Sequence, residues 1–231
     1  TAVKLLYGRA FRAPTVAELY FVSIDGTGYG GNPNLGPETI DALELVLMWR
    51  GQTWQGDVGL FENRWQDAIL LDLSSPSTGD YVNSGRNQAQ GVETSWTWLP
   101  QPWRLEGNAS YTHSHNVTTD QDYRLFPRFM ANLLAGYEWA AINTRIALVS
   151  RYFRGADDVP DFGFNDPQPL ADYLRTDLNL VKAFNGGIEA YINVINLLGR
   201  DNHLPSVIGV ENGIPDEPLG ISIGVRWADQ K

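Results

Sequence analysis

His113 and His115, in the tripeptide HSH, are the most chemically suggestive pair in this 231-residue chain. On an extended backbone alternate side chains share a side. The two imidazoles therefore project together and can hold a metal ion or touch a metal-bearing ligand, with Asp120 and Asp122 near enough in the chain to complete a site. A solvated loop edge is the plainer account of the same residues. Asp157, Asp158 and Asp161 form an acidic group. Oxygen-rich loops hold calcium, but this spacing matches no recognised calcium loop and reads as solvated acid. Tyr20, Phe21, Tyr29, Tyr152, Arg154, Phe162 and Phe164 supply rings and guanidinium groups, which suit an anionic aromatic chelate through stacking and cation–π contact. His203 stands without a visible partner, and no catalytic set is assigned.

The elements that must position these groups are strands. Period-two alternation is everywhere. In LGISIGVRW, Leu219, Ile221, Ile223, Val225 and Trp227 oppose Gly220, Ser222, Gly224 and Arg226. RFMANLLAGYEW sets Phe129, Ala131, Leu133, Ala135, Tyr137 and Trp139 on one face. Similar readings give strands over Val3–Gly8, Ile40–Arg50, Asp57–Leu71, Tyr81–Leu99, Arg104–Tyr111, Asn143–Phe153, Tyr173–Leu180 and Gly187–Asn196, ten in all. Short turns (GQTWQG, LPQP, AAIN, NGG) alternate with long connections near residues 9–37, 72–80, 114–125, 155–170 and 197–218. The expectation is an all-β fold: an antiparallel transmembrane β-barrel portion, short turns at one end and long loops at the other.

A soluble sandwich alternates too. Two features favour the membrane barrel. Trp49, Trp96, Trp98, Trp103, Tyr111, Tyr137, Trp139, Tyr152 and Trp227 sit at the ends of apolar faces, as aromatic girdles do. The opposite faces carry charge, among them Glu93, Arg104, Glu106, Arg175, Asp177, Glu189 and Arg226, which suits a wet lumen lined by cross-strand pairs. Glu62 breaks the pattern by falling on the apolar side of VGLFENRWQDAILL, and a β-bulge is expected to correct the register.

Composition excludes several classes. A net charge of −10 argues against a nucleic-acid partner, since phosphate binding needs a positive field. The chain has no cysteine, so neither disulfides nor thiolate metal sites are available. No apolar run reaches the length of a transmembrane helix, and no signal-peptide pattern is visible. Of 17 basic residues only Lys4, Lys182 and Lys231 are lysines; arginine is the usual choice where a fixed multidentate donor lines a polar cavity. The chain opens in mid-pattern on a strand, as a segment of a longer polypeptide would.

Loop punctuation supplies the remaining motifs. In FRAPTVAELY (Phe11, Arg12, Ala13, Pro14 and onward) proline ends a strand, and Thr15 with Glu18 has the spacing of a capping box. In NPNLGPE (Asn32, Pro33, Asn34, Leu35, Gly36, Pro37, Glu38) two turns deliver the chain into the next strand. These two motifs, with NSGRNQAQGVETSWTW (Asn83–Trp98), INVINLLGRDN (Ile192–Asn202) and the closing GISIGVRW, resemble the barrel of TonB-dependent outer-membrane receptors. In INVINLLGRDN, Leu198 and Gly199 depart from the N-L-F-D sequence usual in that family. Ala228–Lys231 follow a terminal aromatic that the family normally places last.

The resemblance implies that residues 1–231 are the C-terminal ten strands of a 22-stranded barrel, without its plug domain or TonB box. It implies a non-enzymatic role in a bacterial outer membrane: TonB-driven uptake of a scarce large nutrient. A ferric siderophore ranks first. Haem ranks lower because Phe21–Gly31 contains none of the histidine expected of haem receptors, and cobalamin is also ranked lower. The implied partners are a ferric chelate, the plug and TonB through the missing N-terminal part, and outer-membrane lipid; no cofactor is implied. The alternatives are a complete ten-stranded barrel with a hydrolytic rim site, and a passive adhesin barrel. A complete barrel would pair Val3–Gly8 with Leu219–Trp227, whereas a fragment leaves both edges open.

Overall fold

The computed structural model describes residues 1–22, 28–72, 78–118, 120–124, 126–158, 168–206 and 212–227. Ten wall strands follow one another as an antiparallel meander. They are β1 (Ala2–Arg12), β2 (Glu38–Arg50), β3 (Trp54–Asp72), β4 (Thr78–Trp98) and β5 (Trp103–Asn116). Then come β6 (Phe129–Trp139), β7 (Thr144–Arg154), β8 (Tyr173–Ala183), β9 (Ile188–Ile195) and β10 (Gly220–Trp227). Each pairs with its sequence neighbours. Among the described residues β1 and β10 do not pair with each other, so the sheet is an open, partial barrel.

The registers sort the side chains onto two faces. Val3, Leu47, Leu60, Val92, Tyr111, Phe129, Leu148, Leu178, Ile192 and Ile223 share one face, and all nine girdle aromatics lie on it. This apolar face is uncovered: Ile221, Ile223, Val225 and Trp227 are 66–75% exposed, a surface that needs a hydrocarbon neighbour. The aromatics pack in pairs, Trp103 with Tyr137 at 4.7 Å and Trp49 with Trp54 at 6.4 Å. The apolar row runs the whole 11-residue length of β6, which at about 3.3 Å per residue and a tilt of about 40° rises about 25 Å.

The other face is polar. Glu189 accepts from Arg145 at 2.7 Å and from Arg226 at 2.6 Å, and Arg104 donates to Glu106 at 2.7 Å. This is the face that a barrel turns toward its lumen.

The expected bulge is not there. β3 and β4 keep one register from Trp54↔Trp98 to Asp72↔Asp80, so Glu62 does stand on the apolar side. The reason is length. β3 has 19 residues and β4 has 21, whereas about ten cross the hydrocarbon. Past Leu60 and Val92 the outward row turns polar (Glu62, Arg64, Gln66, Gln88, Gln90), and Glu62 accepts from Arg64 at 2.9 Å and from Gln88 at 2.5 Å. The wall has left the apolar belt there. At its upper part Asp67 and Gly85 take positive φ, and the register is the same on either side of them.

Strand ends also differ from expectation. β1 continues through Phe11 and Arg12, and β5 continues through His113 and His115 to Asn116.

Candidate functional site

The long-loop rim of the wall holds three constructions. The first is built on the FRAP and NPNL boxes. Pro14 ends β1, and Thr15 caps the short helix α1 (Val16–Tyr20). Thr15 Oγ1 accepts from the Glu18 amide at 3.2 Å while Glu18 Oε2 accepts from the Thr15 amide at 2.6 Å, the reciprocal capping box expected. Arg12 then joins both ends of the loop. Its Nη1 donates to the two Glu18 oxygens at 3.0 Å, and its Nε donates to Glu38 Oε1 at 2.7 Å. The Arg12 guanidinium, followed by the Thr15 amide, holds the Glu18 carboxyl below the usual carboxylate range.

Asn83, from the NSG stretch, closes the construction. Its Oδ1 accepts from the Gly36 amide at 2.8 Å; its Nδ2 donates to Gly36 O at 3.0 Å and to Asp67 O at 2.7 Å. Asn32 Nδ2 donates to Tyr81 O at 2.9 Å, and the Leu35 amide donates to Asn32 O at 3.2 Å. Gly31 packs so tightly that an added Cβ would lie 2.5 Å from the Tyr20 and Phe21 amide nitrogens. Motifs far apart in the chain thus make one interlocked platform, and Asn83 is the hinge pin that sequence reading did not single out.

The second construction is centred on Arg175, whose side chain is 12% exposed. It donates to Asp177 at 2.9 Å and to Asp216 at 3.2 Å, and pairs with Glu217 at 3.2 Å. Tyr173 donates its hydroxyl to Asp216 at 2.6 Å and stacks on Phe153 at 4.8 Å. Asn196, 1% exposed, gives its amide to Asp177 at 2.9 Å and its side chain to Arg200 O at 2.8 Å. Asn202 pairs both ways with the Leu174 backbone at 3.0 Å. The INVINLLGRDN stretch therefore fastens the β9–β10 loop onto β8.

The third is the histidine cluster. Asp122 folds back beside β5, its backbone paired with His115. His113 Nε2 and His115 Nδ1 meet Asp122 Oδ1 at 2.9 and 3.0 Å, and His115 Nε2 lies 3.3 Å from Asp120. Arg128 holds the other Asp122 oxygen. Hydrogen bonds from His113 and then His115 keep the Asp122 carboxyl down at about 2. Of the acidic group, Asp157 is buried and pairs with Arg124 at 3.6 Å; the Asp158 side chain and Asp161 lie outside the described residues. His203 lies 3.9 Å from Asp201.

The candidate ligand residues do not converge on one place. Tyr20 and Phe21 are exposed at α1. Tyr152 and Arg154 continue the apolar row of β7, Tyr152 against the Phe129 edge at 5.9 Å with its hydroxyl on Asp172 at 2.6 Å. His113 and His115 likewise stand on the outward row. Of Tyr29 only the backbone is described, and Phe162 and Phe164 lie outside the described residues.

Residues 1–197 match the family described as TonB-dependent receptor-like β-barrel. The chain belongs to this family. Solved structures share the fold: the siderophore receptor PirA from Acinetobacter baumannii has a TM-score of 0.76 at 16% identity, covering 97% of this chain and 38% of that one. The P. aeruginosa FpvA, bound to heterologous pyoverdines, gives 0.76 at 14% identity over 97% and 30%. The FrpB iron transporter from Neisseria meningitidis gives 0.73 at 13% identity over 96% and 36%. The chain thus spans about a third of the length of these receptors. These relatives are receptors and transporters, and in this chain the FRAP, NPNL and NSG residues brace the rim of the wall.

Proposed function

We propose that residues 1–231 are the C-terminal part of a TonB-dependent receptor barrel in a bacterial outer membrane, and that the whole receptor imports a ferric siderophore. The observation that carries this is a family barrel wall whose braced loop rim stands over a charged polar face. The outward belt takes lipid, the polar face lines the lumen, and the plug in the remaining N-terminal part responds to TonB. The role is non-enzymatic. Support for a ferric siderophore comes from PirA and FpvA, and support for iron from the FrpB iron transporter. A copper transporter, OprC, has the same fold at a TM-score of 0.74, so metal cargo other than iron is the competing outcome. Tyr20 and Phe21 are the candidate contacts at the rim.

The test is uptake of labelled ferric siderophores, haem, cobalamin and copper in a strain deleted for the full gene and in the complemented strain. Siderophore uptake is expected to fall on deletion and to require TonB. Loss confined to haem, cobalamin or copper would overturn the cargo; loss of none would overturn the transport role.

A further inference from the structure

We propose that His113, His115 and Asp122 bind a divalent transition-metal ion of the zinc class on the outward side of the wall. The ion clamps the folded-back Gln121–Asp122 strand to β5. This site is separate from the route of any imported ligand. His113 pairs with Gln90 and His115 with Gln88 in the row that contains Trp103, Leu105, Ala109 and Tyr111, so both imidazoles stand beyond the upper girdle on the side away from the polar face.

The donor set fits. Two imidazoles and one carboxylate are the ligands that borderline ions choose, whereas calcium and magnesium favour oxygen alone. The three donor atoms all lie within 4.8 Å of one another. In a tetrahedral zinc site with bonds of about 2.1 Å the donors stand about 3.4 Å apart. The observed 2.9 and 3.0 Å contacts to Asp122 Oδ1 therefore need to open by about half an ångström.

The surroundings fit as well. Each ring now turns a nitrogen toward Asp122 Oδ1. To accept a metal, that nitrogen presents its lone pair and the ring proton resides on the other nitrogen. For His115 that nitrogen is Nε2, with Asp120 Oδ1 3.3 Å away to receive the proton's hydrogen bond. A carboxylate behind a ligating histidine is the usual outer support of a metal site. Arg128 occupies the second Asp122 oxygen, which leaves Oδ1 as the single carboxylate donor. With neutral imidazoles, two carboxylates against one guanidinium keep the cluster net negative. The His113 and His115 side chains are 35 and 27% exposed, so water can reach the ion as a fourth ligand.

The experiment uses the full-length receptor in detergent, stripped with chelator and titrated with Zn²⁺ by calorimetry, with Co²⁺ absorption as the coordination probe. One zinc per receptor is expected at this site, with a Co²⁺ spectrum of nitrogen–oxygen tetrahedral type. His113→Gln and His115→Gln can keep a hydrogen bond to Asp122 and so preserve the fold, yet each is expected to weaken zinc at least tenfold. Asp120→Asn, acting behind His115, is expected to weaken it about tenfold. Zinc should slow exchange of the Tyr123 amide, which donates to Ser114 O at 2.9 Å, in the parent protein and not in the double His→Gln variant. Binding with unchanged affinity in that folded double variant, or no stoichiometric zinc in the parent, would overturn the site.

Discussion

Two arginines brace two loops, and they do so differently. Arg12 ties α1 to the start of β2 with its side chain 42% exposed. Arg175 ties β8 to the β9–β10 loop with its side chain 12% exposed. Arg12 works beside a local device, the Thr15 capping box, and it is the guanidinium that faces water, since its partners Glu18 and Glu38 are only 14 and 22% exposed. Arg175 is itself withdrawn from solvent and gathers Asp177 and Asp216, 24 and 15% exposed, together with the more open Glu217 at 65%. Screening and side-chain entropy leave exposed pairs with small net value, while an uncompensated group in a poorly solvated place costs several kcal/mol. The first loop should therefore be held by many small contributions and the second by one indispensable group.

The sharpest way to break this contrast is Arg175→Ala. It should destabilise the region by about 3 kcal/mol and speed exchange of the Leu197 and Asp216 amides, which donate to Thr176 O and Asn202 O. An effect no larger than that of Arg12→Ala would remove the distinction. Asn196→Ala comes next, at about 2 kcal/mol, because Asn196 is buried, hydrogen-bonded at both ends of its amide, and held at φ 50° where alanine is strained. Chemical denaturation in detergent measures both. Thr15→Ala should cost about 1 kcal/mol through the lost cap, read as faster exchange of the Leu19 and Phe21 amides of α1 alone.

The smallest expected effect is one of pH. Glu18 has its carboxyl pKa lowered by Arg12. Its contribution is therefore complete at neutral pH and fades as pH falls through and below the ordinary carboxylate value. Glu18→Gln should flatten that response, and a parent protein with no acid-dependent exchange at α1 would show that the Arg12 bridge contributes nothing.

The legibility of the chain followed the range of its interactions. All ten wall strands were readable because a period of two needs only near neighbours in sequence. The capping box was readable for the same reason: Thr15 and Glu18 are one helical turn apart. Where a strand outruns the membrane was not readable, since alternation continues while the solvent changes. Glu62 therefore suggested a bulge that β3 does not have, and His113 and His115 looked like loop edge although they belong to β5. The docking of Asn83 on Gly36 and Asp67, and the meeting of Arg175 with Asp216, left no periodic trace, because the partners are 16 to 47 residues apart.

By itself the sequence determined the two faces of the wall, its ten strands, its turn and loop ends, and the family resemblance. Each of these is set by hydrophobic alternation or by residues that act on their own backbone. Only the tertiary structure decided which motifs touch, which face each candidate side chain occupies above the girdle, and that Asp122 returns to His113 and His115. Those outcomes depend on strand register and on how the loops fold back, and both are fixed by contacts between residues distant in the chain.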